Sequence, residues 1–131
     1  MRALALDYGS ARTGVAVSDE TGLLARPVGV VERAATETGL ARLAELVAEH
    51  DAEIVVVGLP LTLRGEHGAQ ARETEAFVAV LQARLAVPVE TYDERFTTKL
   101  AEADQGRAPE DSRAAAHLLT SYLRSLDQTS R

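Results

Sequence analysis

At 131 residues the chain has the length of one domain and can bury a core without staples. It has no Cys, which excludes disulfides and thiolate metal sites, and with two Phe, three Tyr and no Trp its core must come from Leu, Val and Ala. A net charge of −6 argues against nucleic-acid binding by bulk attraction, yet thirteen of the fourteen basic residues are Arg, the side chain suited to bidentate phosphate contact. No apolar run approaches the ~20 residues of a membrane span, and the N-terminus lacks a charged-then-apolar leader pattern, so a soluble cytoplasmic protein is expected.

Residues 2–8 form an apolar run without polar alternation, which predicts a central strand buried on both faces. Residues 13–18 read as a second strand, Asp19-Glu20-Thr21-Gly22 as a turn, and residues 27–31 as a third strand. Short connections imply that these pair antiparallel. Leu40, Leu43, Leu46 and Val47 then recur at helical spacing over 37–50. The β-branched run Ile54-Val55-Val56-Val57, bounded by Gly58 and Pro60, reads as a fourth strand. A glycine-containing loop over 59–68 carries Arg64, Glu66 and His67, and a helix over 69–85 sets Phe77, Leu81 and Leu85 on one stripe. Residues 88–93 form a fifth strand. A short helix is expected from Thr97, a suitable N-cap, followed by a break over 106–110. The last helix spans 111–126, with a core stripe of Ala115, Leu118, Leu119, Tyr122 and Leu126.

This order predicts an α/β fold, a mixed five-stranded sheet in which three antiparallel strands lead into parallel βαβ crossovers, flanked by helices. Sites in such sheets form beyond the carboxyl ends of the strands, where Asp7, Gly58 and Glu94 fall.

Three places carry acids that could do chemistry. Asp7 ends a central strand, where an unpaired carboxylate is costly; a cap or an ion pair with Arg12 is its ordinary explanation. Asp93 and Glu94 point to opposite faces of the fifth strand, so at most one of them faces a shared site. Capping suits Asp93, while Glu94 has Arg95 and Lys99 as surface partners. Asp111 stands on the helix stripe that faces the sheet, where an N-cap role is the alternative. Together, acids ending three elements on one sheet edge repel one another unless a cation lies among them. Oxygen donors alone favour a hard ion, Mg²⁺ or Mn²⁺. A pair of such ions serves in-line attack of water on a phosphodiester. Among the histidines, His50 ends a helix and complements its dipole. His117 lies off the core stripe and is expected to be wet, and His67 is a candidate phosphate contact.

The segments Asp7-Tyr8-Gly9-Ser10 through Ser18-Asp19, Val57-Gly58-Leu59-Pro60, Asp93-Glu94-Arg95-Phe96-Thr97-Thr98, and Asp111 with Ala114-Ala115 and Tyr122-Leu123 occur in this order. In that order they resemble the YqgF/RuvX family over nearly the whole chain. The resemblance implies an RNase H-like fold and two activities described for the family, maturation of the 5′ end of pre-16S rRNA and resolution of Holliday junctions. It implies that Asp7, Glu94 and Asp111 form the acidic triad that holds Mg²⁺ or Mn²⁺, and that Arg12, Gly58, Arg95 and Thr98 shape the cleft. Arg64 is a further candidate substrate contact. The chain departs from the family in the loop Leu61-Thr62-Leu63-Arg64-Gly65-Glu66-His67-Gly68, which lacks the usual Asn and acid-Gly-Ser run. It departs again before Asp111, where a shorter segment lacks the usual lysines. Classical RuvC resolvases carry an acid after the fourth strand, a place held here by Gly58-Leu59, so Glu94 substitutes from the fifth.

The function expected is a divalent-metal-dependent endonuclease of structured nucleic acid, with residues 1–131 forming a single nuclease domain. Precursor rRNA is the first substrate reading and branched DNA the second. A junction resolvase would be a symmetric homodimer, whereas an RNA-trimming enzyme could work as a monomer. A non-catalytic nucleic-acid-binding module is a third reading. The Asp-x-Gly hairpin also resembles the phosphate loop of actin-like and sugar-kinase ATPases, but those need a pair of such domains.

Overall fold

Alternation of large and small side chains decides how the layers stack. The computed structural model of the chain describes residues 1–97 and 109–129. In it, β1 (Ala3–Asp7) turns Leu4 and Leu6 to one face of the sheet and Ala3 and Ala5 to the other, all of them buried. β2 (Arg12–Ser18) divides Val15 and Val17 from Ala16 in the same way, and β4 (Ile54–Leu59) divides Val55 and Val57 from Ile54 and Val56.

The face with the larger residues packs on α1 (Glu37–Glu49) through Leu40, Leu43 and Leu46, and on α2 (Ala69–Arg84) through Phe77, Val78 and Leu81. The alanine-rich face lies under α3 (Glu110–Thr129), which contributes Ala115, Ala116, Leu118, Leu119 and Tyr122. Small residues on both sides let this helix lie close to the sheet.

Strand order is β3-β2-β1-β4-β5, with β3 (Ala25–Glu32) and β5 (Val89–Asp93) at the edges. β1–β2 and β2–β3 are antiparallel, while β1–β4 and β4–β5 are parallel. This is the mixed sheet that the element order predicts, with its uninterrupted apolar strand at the centre. A 3₁₀ turn, Glu94–Phe96, follows β5 directly.

The C-terminal part differs from expectation at several residues. Thr97 closes the 3₁₀ turn as its C-cap, its N–H donating to the Glu94 carbonyl at 3.0 Å. The short helix expected there, and Thr98 with it, lie outside the described residues. His117 is buried, not wet, and lies in the wall of the cleft that Asp7 and Glu94 also line. Leu126 is 38% exposed, since it lies beyond Tyr122 and Leu123, where α3 last packs on the sheet. Among the described residues no helix is long and apolar enough to cross a membrane.

Candidate active site at the strand ends

The parity that sorts the core also places the acids. After Ala3 and Ala5, the next β1 residue on the α3 side is Asp7. On β4, Gly58 follows Ile54 and Val56. On β5, Glu90 and Tyr92 face α3, the first accepting from Tyr122 Oη at 3.1 Å and the second packing on the α3 core, so Glu94 continues on that side. Asp93 falls on the opposite parity.

Register completes the arrangement. Asp7 opposes Gly14 on β2, and Leu6 opposes Val57 on β4, so Asp7 stands with Gly14 on one flank and Gly58 on the other. Both glycines make room. A Cβ on Gly58 would lie 2.6 Å from Glu94 Oε1, so the missing side chain is the space that the Glu94 carboxyl fills. A Cβ on Gly14 would overlap the main-chain carbonyl of Asp111, so this glycine lets the start of α3 rest on β2. On the other face, Tyr8 stacks on Phe77 at 4.2 Å and fixes the chain just after Asp7. The hairpin beyond is closed at Gly9, where a Cβ would sit 2.5 Å from the Arg12 carbonyl. α3 starts at Pro109, whose carbonyl accepts from Ser112 N at 3.1 Å, Arg113 N at 3.0 Å and Ser112 Oγ at 2.8 Å.

Asp7 and Glu94 share a hydrogen bond between their carboxyls. Burial pushes Glu94 up to about 7, helped by the negative charges of Asp7 and Asp93 and by its hydrogen bond to Asp7. Asp7 is raised as well, mainly by burial and further by the Asp111 charge, although the bond from Glu94 works in the other direction. The pair thus behaves as two carboxyls sharing a proton.

Asp111 is brought to the same edge but not into the pair. Its carboxylate lies 3.3 Å from Arg12 Nε, with both side chains about half exposed. Arg12 was the expected partner of a phosphate and meets an acid of the proposed triad.

The other candidates are engaged away from the carboxyl pair. Arg95 donates from Nε and Nη2 to Asp93, at 3.0 and 2.6 Å to Oδ2, which holds Asp93 below the usual carboxylate range. Arg95 also donates to the Leu63 carbonyl at 3.3 Å and so ties the 59–68 loop to the end of β5. Arg64 is exposed on that loop and does not line the cleft, and His67 Nδ1 lies 2.8 Å from Glu75 Oε1.

A cleft of about 350 Å³ opens over the carboxyl pair, lined by Asp7, Glu94, Thr97, Glu110, Arg113 and His117 among others. Four of these residues, Thr97, Glu110, Arg113 and His117, were not site candidates in the sequence. Arg113 and His117 are one turn apart on α3, on the side of the helix away from the counted core stripe. The Thr97 hydroxyl is buried in the cleft wall and has no hydrogen-bond partner among the described residues. The Thr97-Thr98 pair was the available signal, with the cleft role assigned to its second member.

A divalent cation fits this donor set in part. Asp7 and Glu94 offer hard oxygen donors whose ionisation is opposed by burial and by their mutual repulsion, an opposition that a cation would relieve, and the Gly58 cradle keeps their approach open. Among the described residues no three of His, Cys, Asp and Glu converge closely enough to hold an ion together, and the Asp111 carboxylate lies against Arg12.

Comparison with known proteins adds the relatives. The RuvX family model, described as "Holliday junction resolvase", matches residues 1–125. A protein of Desulforudis audaxviator (strain MP104C) named "Putative pre-16S rRNA nuclease" is 42% identical over 134 residues, covering 95% of each chain. One of the same name from Chloroflexus aggregans is 48% identical over 99 residues, covering 76% of this chain and 70% of its own. Among solved structures, T. thermophilus RuvC in complex with Holliday junction substrate aligns with a TM-score of 0.63 at 22% identity, covering 98% of this chain and 97% of the other. The fowlpox virus resolvase with junction DNA aligns at 0.56 and 12% identity, covering 96% and 99%. Likeness at that identity concerns the fold, which is RNase H-like.

Proposed function

This chain belongs to the RuvX family, and we propose that its work is divalent-metal-dependent hydrolysis that trims the 5′ end of pre-16S rRNA. The enzyme class comes with the family: a nuclease, hydrolysing phosphodiester bonds. The choice of precursor rRNA rests on the names of relatives that match this chain over nearly its whole length. The observation that carries the site assignment is the Asp7–Glu94 carboxyl pair, seated beside Gly58 at the carboxyl ends of the parallel strands.

In this reading residues 1–131 act as one domain, and Asp7, Glu94 and Asp111 hold two Mg²⁺ or Mn²⁺ ions. When bound, such ions polarise the scissile phosphate and ease the ionisation of water. The chain's own residues do the rest. Glu94 would have to be ionised to hold a cation, which burial and the Asp7 charge oppose in the cation-free protein. Arg12, half-exposed beside Asp111, is the cation placed to take a non-bridging phosphate oxygen. Asp93 and Arg95 neutralise each other and brace the 59–68 loop, so substrate contacts from Arg95 and Arg64 require that loop to reach over the cleft. Thr98 belongs to the same proposal as a substrate contact.

The family description favours a second substrate, the four-way DNA junction. The experiment is side-by-side cleavage of a precursor 16S rRNA fragment and a four-way junction by the wild-type chain with Mg²⁺ or Mn²⁺. Cleavage of the RNA at its 5′ extension with little junction cutting is expected. Junction cutting alone makes it a resolvase, and the absence of both would leave a nucleic-acid-binding module without catalysis.

A further inference from the structure

Asp111 and Arg12 face opposite demands. The metal reading of the site needs the Asp111 carboxylate beside Asp7, and substrate binding needs the Arg12 guanidinium on a phosphate, yet the two are 3.3 Å apart and on each other. The main chain of Asp111 cannot travel, because its carbonyl rests on Gly14 and the start of α3 is fixed by the bonds to the Pro109 carbonyl. Its side chain can, being 40% exposed, and so can that of Arg12 at 58%. An ion pair at this exposure is weak and shifts an equilibrium by no more than about fivefold. A phosphodiester can take a guanidinium through charge-assisted bonds that an exposed carboxylate at this distance does not match.

Resting on the nuclease reading, we propose that Arg12 is a positioning residue that holds Asp111 out of the cation site until a substrate phosphate takes its place. The exchange couples the two ligands. Nucleic acid draws Arg12 away and frees Asp111 for the cation; the cation draws Asp111 away and frees Arg12 for phosphate. By linkage the factor is the same in both directions. The pair thus biases the site against loading without substrate by up to about fivefold, and is built from one residue of the β1–β2 hairpin and one of the first turn of α3.

Mn²⁺ binding, read calorimetrically and by the loss of its free-ion magnetic resonance signal, tests this without turnover. The full chain is titrated as wild type, Arg12→Gln, Asp111→Asn and the double variant, with the fold of each checked by circular dichroism. Arg12→Gln should bind Mn²⁺ up to about fivefold more tightly than wild type. The same substitution in the Asp111→Asn background should leave Mn²⁺ affinity unchanged, since Arg12 then has no carboxylate to withhold. A short phosphorothioate RNA should tighten Mn²⁺ binding in wild type and fail to do so in Arg12→Gln. Equal tightening by Arg12→Gln in both backgrounds would mean a plain charge effect and overturn the exchange, as would no tightening in either. If Asp111→Asn binds Mn²⁺ as wild type does, the site reading itself fails, a result separable from failure of the exchange because it involves no change at Arg12.

Discussion

The Glu94 carboxyl titrates near 7 because it is part-buried beside Asp7, and this has a measurable sign. Its folded value is raised above the 4.5 of a free glutamate, so in the cation-free protein its contribution to stability is full below about 4.5 and is lost as pH rises through about 7. After allowance for solvent screening the loss is about 1–2 kcal/mol. Urea melts across this window should show it, and Glu94→Gln should flatten the profile. Mg²⁺ or Mn²⁺ should move this stability loss to lower pH, because a cation held by Glu94 favours its ionised form. Gly58 gives a second test at this scale. A Cβ there meets the mobile end of Glu94 and no backbone, so Gly58→Ala should cut the cleavage rate by about tenfold or more while moving Tm by less than roughly 5 °C. Asp7 was readable in the sequence as an acid ending an apolar strand. The choice between Asp93 and Glu94 was not, because it depends on the parity of β5, fixed by the contact of Tyr92 and Glu90 with α3. Asp111 meeting Arg12 joins residues about a hundred positions apart, and no local pattern announces it.

The elements were largely legible because their signals are local. β4 is a β-branched run, α1 carries its apolar residues at helical spacing with Thr36 accepting from Gly39 N as its N-cap, and Asp19 organises the β2–β3 turn by accepting from Thr21 Oγ1 at 2.6 Å. α3 was harder. A stripe counted from Ala115 and Leu118 assumes one buried face, whereas His117, on the opposite side of the helix, is buried in the cleft wall. Its seat on β2 depends on Gly14, whose added Cβ would meet helix backbone that cannot step aside. Gly14→Ala should therefore destabilise by about 1–3 kcal/mol, visible as a lower urea midpoint, and should weaken cleavage by displacing Asp111. The contrast with Gly58→Ala, where activity falls and the fold holds, separates a glycine that seats a helix from one that seats a carboxyl.

For the molecule as a whole, the net charge of −6 opposes a polyanion. The nuclease reading reconciles this if cations supply the missing positive charge at the cleft. Binding of precursor RNA to the wild-type chain should then weaken by about tenfold or more when EDTA replaces Mg²⁺ at constant ionic strength. The central claim is that Asp7 is the strand-end carboxylate on which phosphodiester hydrolysis depends. The most direct measurement compares cleavage of a precursor 16S rRNA fragment by wild type and Asp7→Asn in Mg²⁺ or Mn²⁺. The account predicts cleavage by wild type and a loss of roughly 10²–10³-fold in the variant, with its fold intact. Equal cleavage by the two proteins would contradict it.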